Sequence, residues 1–263
     1  MPDLYIGLMS GTSLDGVDGV LVDFASNGFD VKAHASAPLP APLRAELLSL
    51  NSSGPDELHR AALTANALMR VYAAVVADLL SSTSIPASTV RAVGAHGQTV
   101  RHRPQEFDGT GYTLQLCQPA LLAELIGIDV AADFRSRDVA AGGQGAPLAP
   151  FFHESLFSRP GESIGVLNIG GISNITLLRA DGSMQGFDCG PGNALMDAWC
   201  EQHTGRPYDD GGAWAAAGTV LGPLLDAMLA EPYFSKPPPK STGRDLFSRT
   251  WLDGHLQAFG TAA

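Results

Sequence analysis

The sequence predicts a mixed α/β protein built from two related lobes. Short apolar segments of strand length alternate with longer segments in which apolar residues recur every three or four positions. In each half of the chain, two apolar segments are also joined by a glycine-bearing turn, which suggests a duplicated α/β unit. We therefore predict an N-terminal lobe at residues 1–140 and a second lobe at residues 141–263.

The first lobe opens with a predicted hairpin. A long helix follows, because Leu68, Met69, Tyr72 and Val76 recur at helical spacing and mark one buried face. The predicted elements of this lobe are strands at 4–9 and 17–24, helices at 42–50 and 55–81, strands at 90–95 and 112–116, a helix at 119–126 and a strand at 129–134. The glycine-rich stretch at residues 140–147 is either the crossing between lobes or an ordinary surface loop.

The second lobe repeats this opening pattern. A third strand is predicted to end in Asp188, directly before Cys-Gly-Pro-Gly-Asn193. Pro237-Pro-Pro239 predicts a stiff extended connector between two later helices. The predicted elements are strands at 164–169, 172–178 and 184–187 and helices at 194–202, 219–229 and 251–259.

Composition limits the kinds of partner. Of the 263 residues 45% are apolar, which suffices for a sizeable core, and the formal net charge is −11 with a pI of about 4.9. A chain this acidic is a poor nonspecific nucleic-acid binder. The three cysteines lack metal-site spacing, and we identify neither a signal peptide nor a membrane-spanning run, so we expect a cytoplasmic protein with no membrane partner.

The first glycine-bearing turn lies in Ser10-Gly-Thr-Ser-Leu-Asp-Gly-Val-Asp18. Its glycines allow close backbone approach to a ligand, and its amides, with the hydroxyls of Thr12 and Ser13, suit phosphate oxygens. Asp15 suits a hydrated Mg²⁺ bound to that phosphate, since Mg²⁺ takes few carboxylates and several waters. The alternative is a plain hairpin turn capped by local side chains.

The second such turn lies in Leu167-Asn-Ile-Gly-Gly-Ile-Ser-Asn174. One glycine turn between strands is weak evidence for phosphate binding, and a plain hairpin again remains the alternative. Two turns, one in each half, are stronger evidence, because a nucleotide in a cleft can be held from both sides.

Several polar residues follow predicted strands. Asp188 is placed either to reach a ligand or to cap the next helix. His96 is, by itself, more often a hydrogen-bonded structural residue than a ligand contact. Arg135 offers donors at a strand end, and a surface pairing with Asp133 or Asp138 is the equal alternative.

Two further segments have no assigned chemistry. Arg101, His102 and Arg103 form a basic cluster that we interpret as a solvated loop, with anion binding as the alternative. Lys240-Ser-Thr-Gly-Arg-Asp245 is interpreted as a loop that leads into a helix.

The motifs together resemble one family. They are Gly7-Leu-Met-Ser-Gly-Thr-Ser-Leu-Asp-Gly16, Ala95-His-Gly-Gln-Thr99, Ala132-Asp-Phe-Arg135, Ala141-Gly-Gly-Gln-Gly-Ala-Pro147, Leu167-Asn-Ile-Gly-Gly171 and Phe187-Asp-Cys-Gly-Pro-Gly-Asn193. In order and spacing they resemble the anhydro-N-acetylmuramic acid kinase family of the actin, sugar-kinase and heat-shock ATPase superfamily. The resemblance implies a two-lobed actin-like ATPase fold, with ribonuclease H-like lobes around a cleft.

The same resemblance implies an activity and its residues. The family opens 1,6-anhydro-N-acetylmuramic acid hydrolytically and phosphorylates O6 with ATP and Mg²⁺, in cell-wall recycling. Asp188 matches the general base, and His96, Gln98, Asp133 and Arg135 match positions near the sugar, with Arg135 placed for the lactyl carboxylate. ATP binding is implied for Gly11, Thr12, Ser13, Leu14, Asp15, Gly16, Val17, Asp18, Asn168, Gly170 and Gly171, with Asp15 also at the metal.

Members of this family usually continue past residue 263, with a later glycine-rich loop for the adenosine. We therefore expect the second lobe to be incomplete, and a homodimer for a full-length member. Two alternatives to the main interpretation are another sugar or acetate-type kinase of the superfamily and a catalytically inactive remnant that binds sugar or protein.

Overall fold

The computed structural model describes residues 2–11, 13–25 and 28–260. The chain divides into two compact units, Met1–Gly143 and Gln144–Ala263. This division falls inside the glycine-rich stretch at residues 140–147. The predicted lobe boundary at residues 140/141 remains a prediction.

Unit 1 contains most of the described secondary structure. Its elements are β1 (Leu4–Ser10), β2 (Gly16–Asp23), β3 (Asp30–Pro38), α1 (Ala41–Ser49), α2 (Glu57–Thr83), β4 (Val90–Ala95), β5 (Gln98–Pro104), β6 (Gly111–Leu116), α3 (Pro119–Ile126), β7 (Val130–Ala132) and α4 (Phe134–Ala140). The strand order β3-β2-β1-β4-β7 defines its main sheet, while β5 and β6 pair separately. Strands β1 to β3 are antiparallel, whereas β4 and β7 run parallel to β1.

This arrangement confirms the prediction of a mixed α/β fold. An antiparallel meander extended by parallel strands on the β1 side is the topology of a ribonuclease H-like lobe. Parallel pairing requires crossover segments, and α2 and α3 provide them between β1, β4 and β7. The first hairpin, the long helix and the strand at residues 90–95 lie where the sequence predicts them.

Helix α2 supplies much of the core of unit 1. Its buried face includes Leu68, Met69, Tyr72 and Val76, which pack with the apolar side of the sheet. Within the described residues α2 is long and apolar enough to cross a membrane by length and composition. Its apolar face nevertheless lies in the protein core, as in the core helix of a globular lobe.

Two strands of unit 1, β3 and β5, are not predicted from the sequence. Alternate small residues of β3, Ala33, Ala35 and Ala37, pack against the core, but alanine is a weak strand signal. The basic cluster at residues 101–103 lies in β5, so its assignment to a solvated loop is wrong. The Arg101 side chain is largely buried and pairs with Glu57 on α2.

Unit 2 contains a second antiparallel meander. Its elements are α5 (Pro150–Phe157), β8 (Ile164–Ile169), β9 (Ile172–Leu178), β10 (Met184–Pro191), α6 (Ala194–Thr204), α7 (Gly222–Leu229), α8 (Pro232–Ser235) and α9 (Arg249–Ala258). The strand order is β10-β9-β8, which matches the β3-β2-β1 meander that opens unit 1. A small cluster of Ile172, Tyr233 and Phe247 ties α8 to this sheet.

Two predicted strand ends change next to candidate site residues. The strand predicted at residues 129–134 ends at Ala132, and Phe134 already begins α4. Arg135 therefore lies in the first turn of a helix rather than at a strand end. Strand β10 continues to Pro191, so the prediction that this strand ends at Asp188 is wrong.

Candidate active site

The first glycine turn connects β1 to β2. Ser10 and Val17 form the last pair of the hairpin, and inside the turn the Leu14 N–H donates to Gly11 O at 3.2 Å. Leu14 has a positive φ of 58° and its side chain is buried. The turn thus buries one apolar side chain next to an exposed carboxylate, that of Asp15. Thr12 lies outside the described residues.

Asp15 is an exposed carboxylate within this turn. Its Oδ1 accepts hydrogen bonds from Ser13 Oγ and from the Gly16 N–H, both at 2.9 Å. A side chain at Gly16 would meet Ala37 O, so a residue without Cβ suits this position. A single exposed carboxylate fits Mg²⁺ that keeps its waters, and the described residues contain no cluster of three potential metal ligands.

The remaining candidate ATP-binding residues of the hairpin differ in what they can offer. The Leu14 and Val17 side chains are buried, so only their backbone groups can contact a nucleotide. Asp18 is exposed, and its Oδ1 lies 3.5 Å from His34 Nε2 on β3.

The second glycine turn connects β8 to β9. Its carbonyls are held by the loop after β10, since the Gly192 N–H donates to Gly171 O at 3.0 Å and the Asn193 N–H to Gly170 O at 2.8 Å. A Cβ at Gly192 would collide with Gly170 O, so this close approach requires glycine. Asn168, the last of the candidate ATP-binding residues, is exposed near the end of β8.

Asp188 lies inside β10, with 5% of its surface exposed. It pairs with Asn174 of β9, which in turn pairs with Asn168 of β8, so the three polar side chains form a row on one face of the sheet. The pairing is irregular between Asp188 and Gly190. The alternative role as a helix cap is wrong, because the N-cap of α6 is Asn193.

Three residues from outside the sheet fix Asp188. Its N–H donates to Lys240 O at 3.1 Å, its carbonyl accepts from Tyr233 Oη at 2.8 Å, and its Oδ2 accepts from the Thr242 N–H at 3.0 Å. Burial, together with the nearby Asp188 charge, raises the pKa of Tyr233, so its hydroxyl stays protonated and donates.

These contacts to Asp188 are not predictable from local sequence. Lys240 and Thr242 belong to the motif at residues 240–245, to which the sequence alone assigns no role. Tyr233 carries no local motif. Only the tertiary structure places it beside Asp188.

In unit 1, Arg135 donates from Nε to His96 Nε2 at 2.7 Å, and His96 Nδ1 lies 2.7 Å from Gly97 O. A carbonyl only accepts and an arginine only donates, so His96 is neutral with its proton on Nδ1. Burial, and secondarily the Arg135 charge, lowers the pKa of His96 to about 4.

The first glycine turn and His96 are connected through Ser10. Ser10 Oγ donates to Gly97 O at 3.1 Å and lies 3.1 Å from the hydroxyl of buried Tyr72. The carbonyl of Gly97 thus accepts from both Ser10 and His96. Unit 1 therefore brings the first turn, His96 and Arg135 into one hydrogen-bonded group.

The other two candidate sugar residues of unit 1 differ in exposure. Gln98 is 1% exposed, and its buried Oε1 has no hydrogen-bond partner among the described residues. Asp133 is exposed at the N-cap position of α4, with a positive φ of 61° and no side-chain cap. Unit 2 separately groups Asn168, the turn at Gly170 and Gly171, and Asp188.

An antiparallel meander with a glycine turn in each unit, extended in unit 1 by parallel strands, defines the class as an α/β protein of ribonuclease H-like topology. Residues 3–263 match the family described as anhydro-N-acetylmuramic acid kinase. The chain belongs to this family.

Curated relatives agree with this assignment. The chain is 64% identical over 266 residues to the anhydro-N-acetylmuramic acid kinase of Variovorax paradoxus, covering 99% of this chain and 71% of that protein. It is 61% identical over 283 residues to the protein of the same name from Albidiferax ferrireducens, covering 100% of this chain and 73% of that protein. The chain thus spans somewhat over two thirds of these relatives' length.

Solved structures are more distant. The Aquifex aeolicus member of the Ppx/GppA family has a TM-score of 0.43 at 10% identity, covering 90% of this chain and 64% of that chain. The ethanolamine utilization protein EutJ from Carboxydothermus hydrogenoformans has a TM-score of 0.39 at 13% identity, covering 99% of this chain and 83% of that chain. Neither likeness carries an argument about function.

Proposed function

We propose that this chain is an ATP-dependent kinase that opens 1,6-anhydro-N-acetylmuramic acid with water and phosphorylates O6, giving N-acetylmuramic acid 6-phosphate and ADP. The observation that carries the proposal is 64% identity to a curated kinase of that name over nearly the whole chain. The buried carboxylate of Asp188, held by a backbone amide, supports the chemistry.

Asp188 acts as the general base in this proposal. It accepts a proton from water while the water oxygen bonds to the anomeric carbon and the bond from that carbon to O6 breaks. O6 then attacks the γ-phosphorus of ATP, the bond from this phosphorus to the β,γ-bridging oxygen breaks, and ADP leaves. A carboxylate suits the first step because it is ionised at neutral pH and a positioned base contributes roughly 10²–10⁴ in rate.

The two glycine turns are proposed to bind ATP. The first turn would offer backbone amides to phosphate oxygens, and the Ser13 hydroxyl would join them by exchanging its bond to Asp15 Oδ1 for one to phosphate. The second turn would act near Asn168. Asp15 would hold Mg²⁺ through its waters. Such an ion neutralises charge on the phosphates when bound. The two compact units would then correspond to the two lobes of the fold.

The sugar is proposed to bind at the group formed by His96 and Arg135. The Arg135 guanidinium suits the lactyl carboxylate as a two-pronged partner. Asp133, which is exposed, would contact sugar hydroxyls, whereas buried Gln98 would reach the sugar only if its surroundings moved. We further propose a cytoplasmic enzyme, since all three cysteines are free thiols, and a homodimer for a full-length member of the family.

The test is incubation of the full chain with ATP, Mg²⁺ and the anhydro sugar in ¹⁸O-labelled water. We expect one ADP per sugar 6-phosphate, with ¹⁸O at the anomeric carbon by mass spectrometry. Phosphorylation of open-ring sugars or acetate without the anhydro sugar would favour another kinase of the superfamily. Sugar binding without turnover would favour an inactive binding protein.

A further inference from the structure

Three hydrogen bonds form a closed circuit through Asp188, Lys240 and Tyr233. The Asp188 N–H donates to Lys240 O at 3.1 Å, Lys240 Nζ donates to Tyr233 O at 3.2 Å, and Tyr233 Oη donates to Asp188 O at 2.8 Å. Each residue donates one bond and accepts one. Any displacement of one residue therefore strains the contacts of the other two.

Lys240 is buried, although lysine is seldom buried unless its charge is satisfied. Its ammonium donates to two backbone carbonyls, Tyr233 O and Phe234 O, and lies 4.8 Å from the centre of the Tyr233 ring. The side chain thus ties α8 to the segment that runs along the edge of β10. The backbone carbonyl of Lys240 accepts the hydrogen bond from the Asp188 N–H.

The segment that closes the circuit also orients the carboxylate. Two residues after Lys240, the Thr242 N–H donates to Asp188 Oδ2 at 3.0 Å. The loop from α8 to Lys240 contains Pro237-Pro-Pro239, whose fixed φ angles reduce the freedom of this connection. Backbone and carboxylate of Asp188 are therefore fixed by one stiff segment.

We propose that Tyr233 and Lys240 are positioning residues for the Asp188 carboxylate, acting by holding the segment at residues 240–242 against β10. This inference rests on the proposed function, in which Asp188 is the base, and assigns a role to the motif at residues 240–245. Neither side chain needs to touch the substrate. Both act through Asp188, because misplacing a reacting group by about 1 Å can cost roughly 10²-fold in rate.

The test compares Tyr233→Phe and Lys240→Met in the full chain. The first removes one hydroxyl, and the second removes the ammonium while keeping an apolar stem. Tyr208→Phe and Lys32→Met are matched controls, since Tyr208 is exposed and Lys32 is exposed on β3, where it pairs with Asp23 and Asp30. The folded state of each variant is checked by thermal unfolding.

For both positioning variants we expect kcat to fall about 10- to 100-fold, with the KM values for sugar and ATP nearly unchanged. Amide hydrogen exchange at Asp188 and Thr242 should accelerate in both variants and in neither control. Folded variants that keep kcat within about twofold of the unsubstituted chain would overturn the proposal. A rise in the KM for the sugar with kcat unchanged would also overturn it.

The exchange measurement separates this inference from the proposed function. If the unsubstituted chain gives no phosphorylated sugar, the proposed function fails, and the exchange rates still decide whether Tyr233 and Lys240 hold Asp188. Unchanged exchange at Asp188 and Thr242 in Tyr233→Phe would refute the positioning role whatever the activity.

Discussion

Arg135 donates from Nε to Nε2 of His96 at 2.7 Å, and this contact fixes both side chains. The histidine ring holds its own proton toward Gly97 O and presents a lone pair to the arginine. The Nε–H of the arginine is thereby oriented by a neutral partner.

The first prediction concerns pH and stability. The folded-state pKa of His96, about 4, lies below the ordinary value of 6.5, so the unfolded chain binds more protons between these values. Stability from this residue is complete above pH 6.5 and decreases as the pH falls toward 4. We expect about 2 kcal/mol of the stability lost between pH 7.5 and pH 5 to come from His96.

Urea unfolding of the unsubstituted chain and of His96→Gln at both pH values measures this contribution. His34→Gln is the control, because His34 is exposed. Equal pH dependence in the unsubstituted chain and His96→Gln would show that His96 is not held neutral by burial.

The fold was predictable where the periodicity was strong. Helix α2 and the strands β1 and β2 each bury a regular apolar face, and local sequence reveals such faces. Strand β3 was missed because its inward side chains are alanines, and β5 because its charged residues are satisfied by partners distant in sequence, such as Glu57 for Arg101.

Local motifs in the sequence are enough to select the candidate site residues. They do not predict the hydrogen bonds that these residues form with each other. Glycine turns and Asp188 stand out through local motifs. The pairing of His96 with Arg135, and of Asp188 with Tyr233, joins residues 39 and 45 positions apart. No local pattern encodes these pairs, since tertiary packing alone brings them together.

The second prediction is that Asp188→Asn lowers kcat by roughly 10²–10⁴ without loss of the fold. Asparagine keeps the size of the side chain and an oxygen that can accept from the Thr242 N–H, but it takes up no proton at neutral pH. Steady-state kinetics measure the change, and sugar affinity by calorimetry should stay within a few-fold. Activity near that of the unsubstituted chain would remove Asp188 from the role of base.

The third prediction is that Arg135→Ala weakens binding of the anhydromuramic sugar more than binding of ATP. Loss of a charge-assisted contact costs about 1.5–3 kcal/mol, or roughly 10- to 150-fold in affinity. The anhydro form of N-acetylglucosamine lacks the lactyl carboxylate, so its affinity should change little. Arg137→Ala, at an exposed position two residues later on α4, is the control. An equal loss for both sugars in calorimetry would show that Arg135 does not contact the carboxylate.

The last prediction tests the second glycine turn through Gly192. A methyl group at this position would collide with Gly170 O and lie 2.8 Å from Ser173 Oγ, so the turn must shift. We expect Gly192→Ala to raise the KM for ATP at least about tenfold, because a shifted turn misplaces backbone groups proposed to face phosphate. Gly254→Ala is the matched control, since a Cβ at Gly254 in α9 meets nothing within 4 Å and alanine favours a helix. Thermal unfolding identifies general loss of structure, and ATP titration then isolates the effect on binding. Unchanged KM in a folded Gly192→Ala protein would exclude this turn from the nucleotide site.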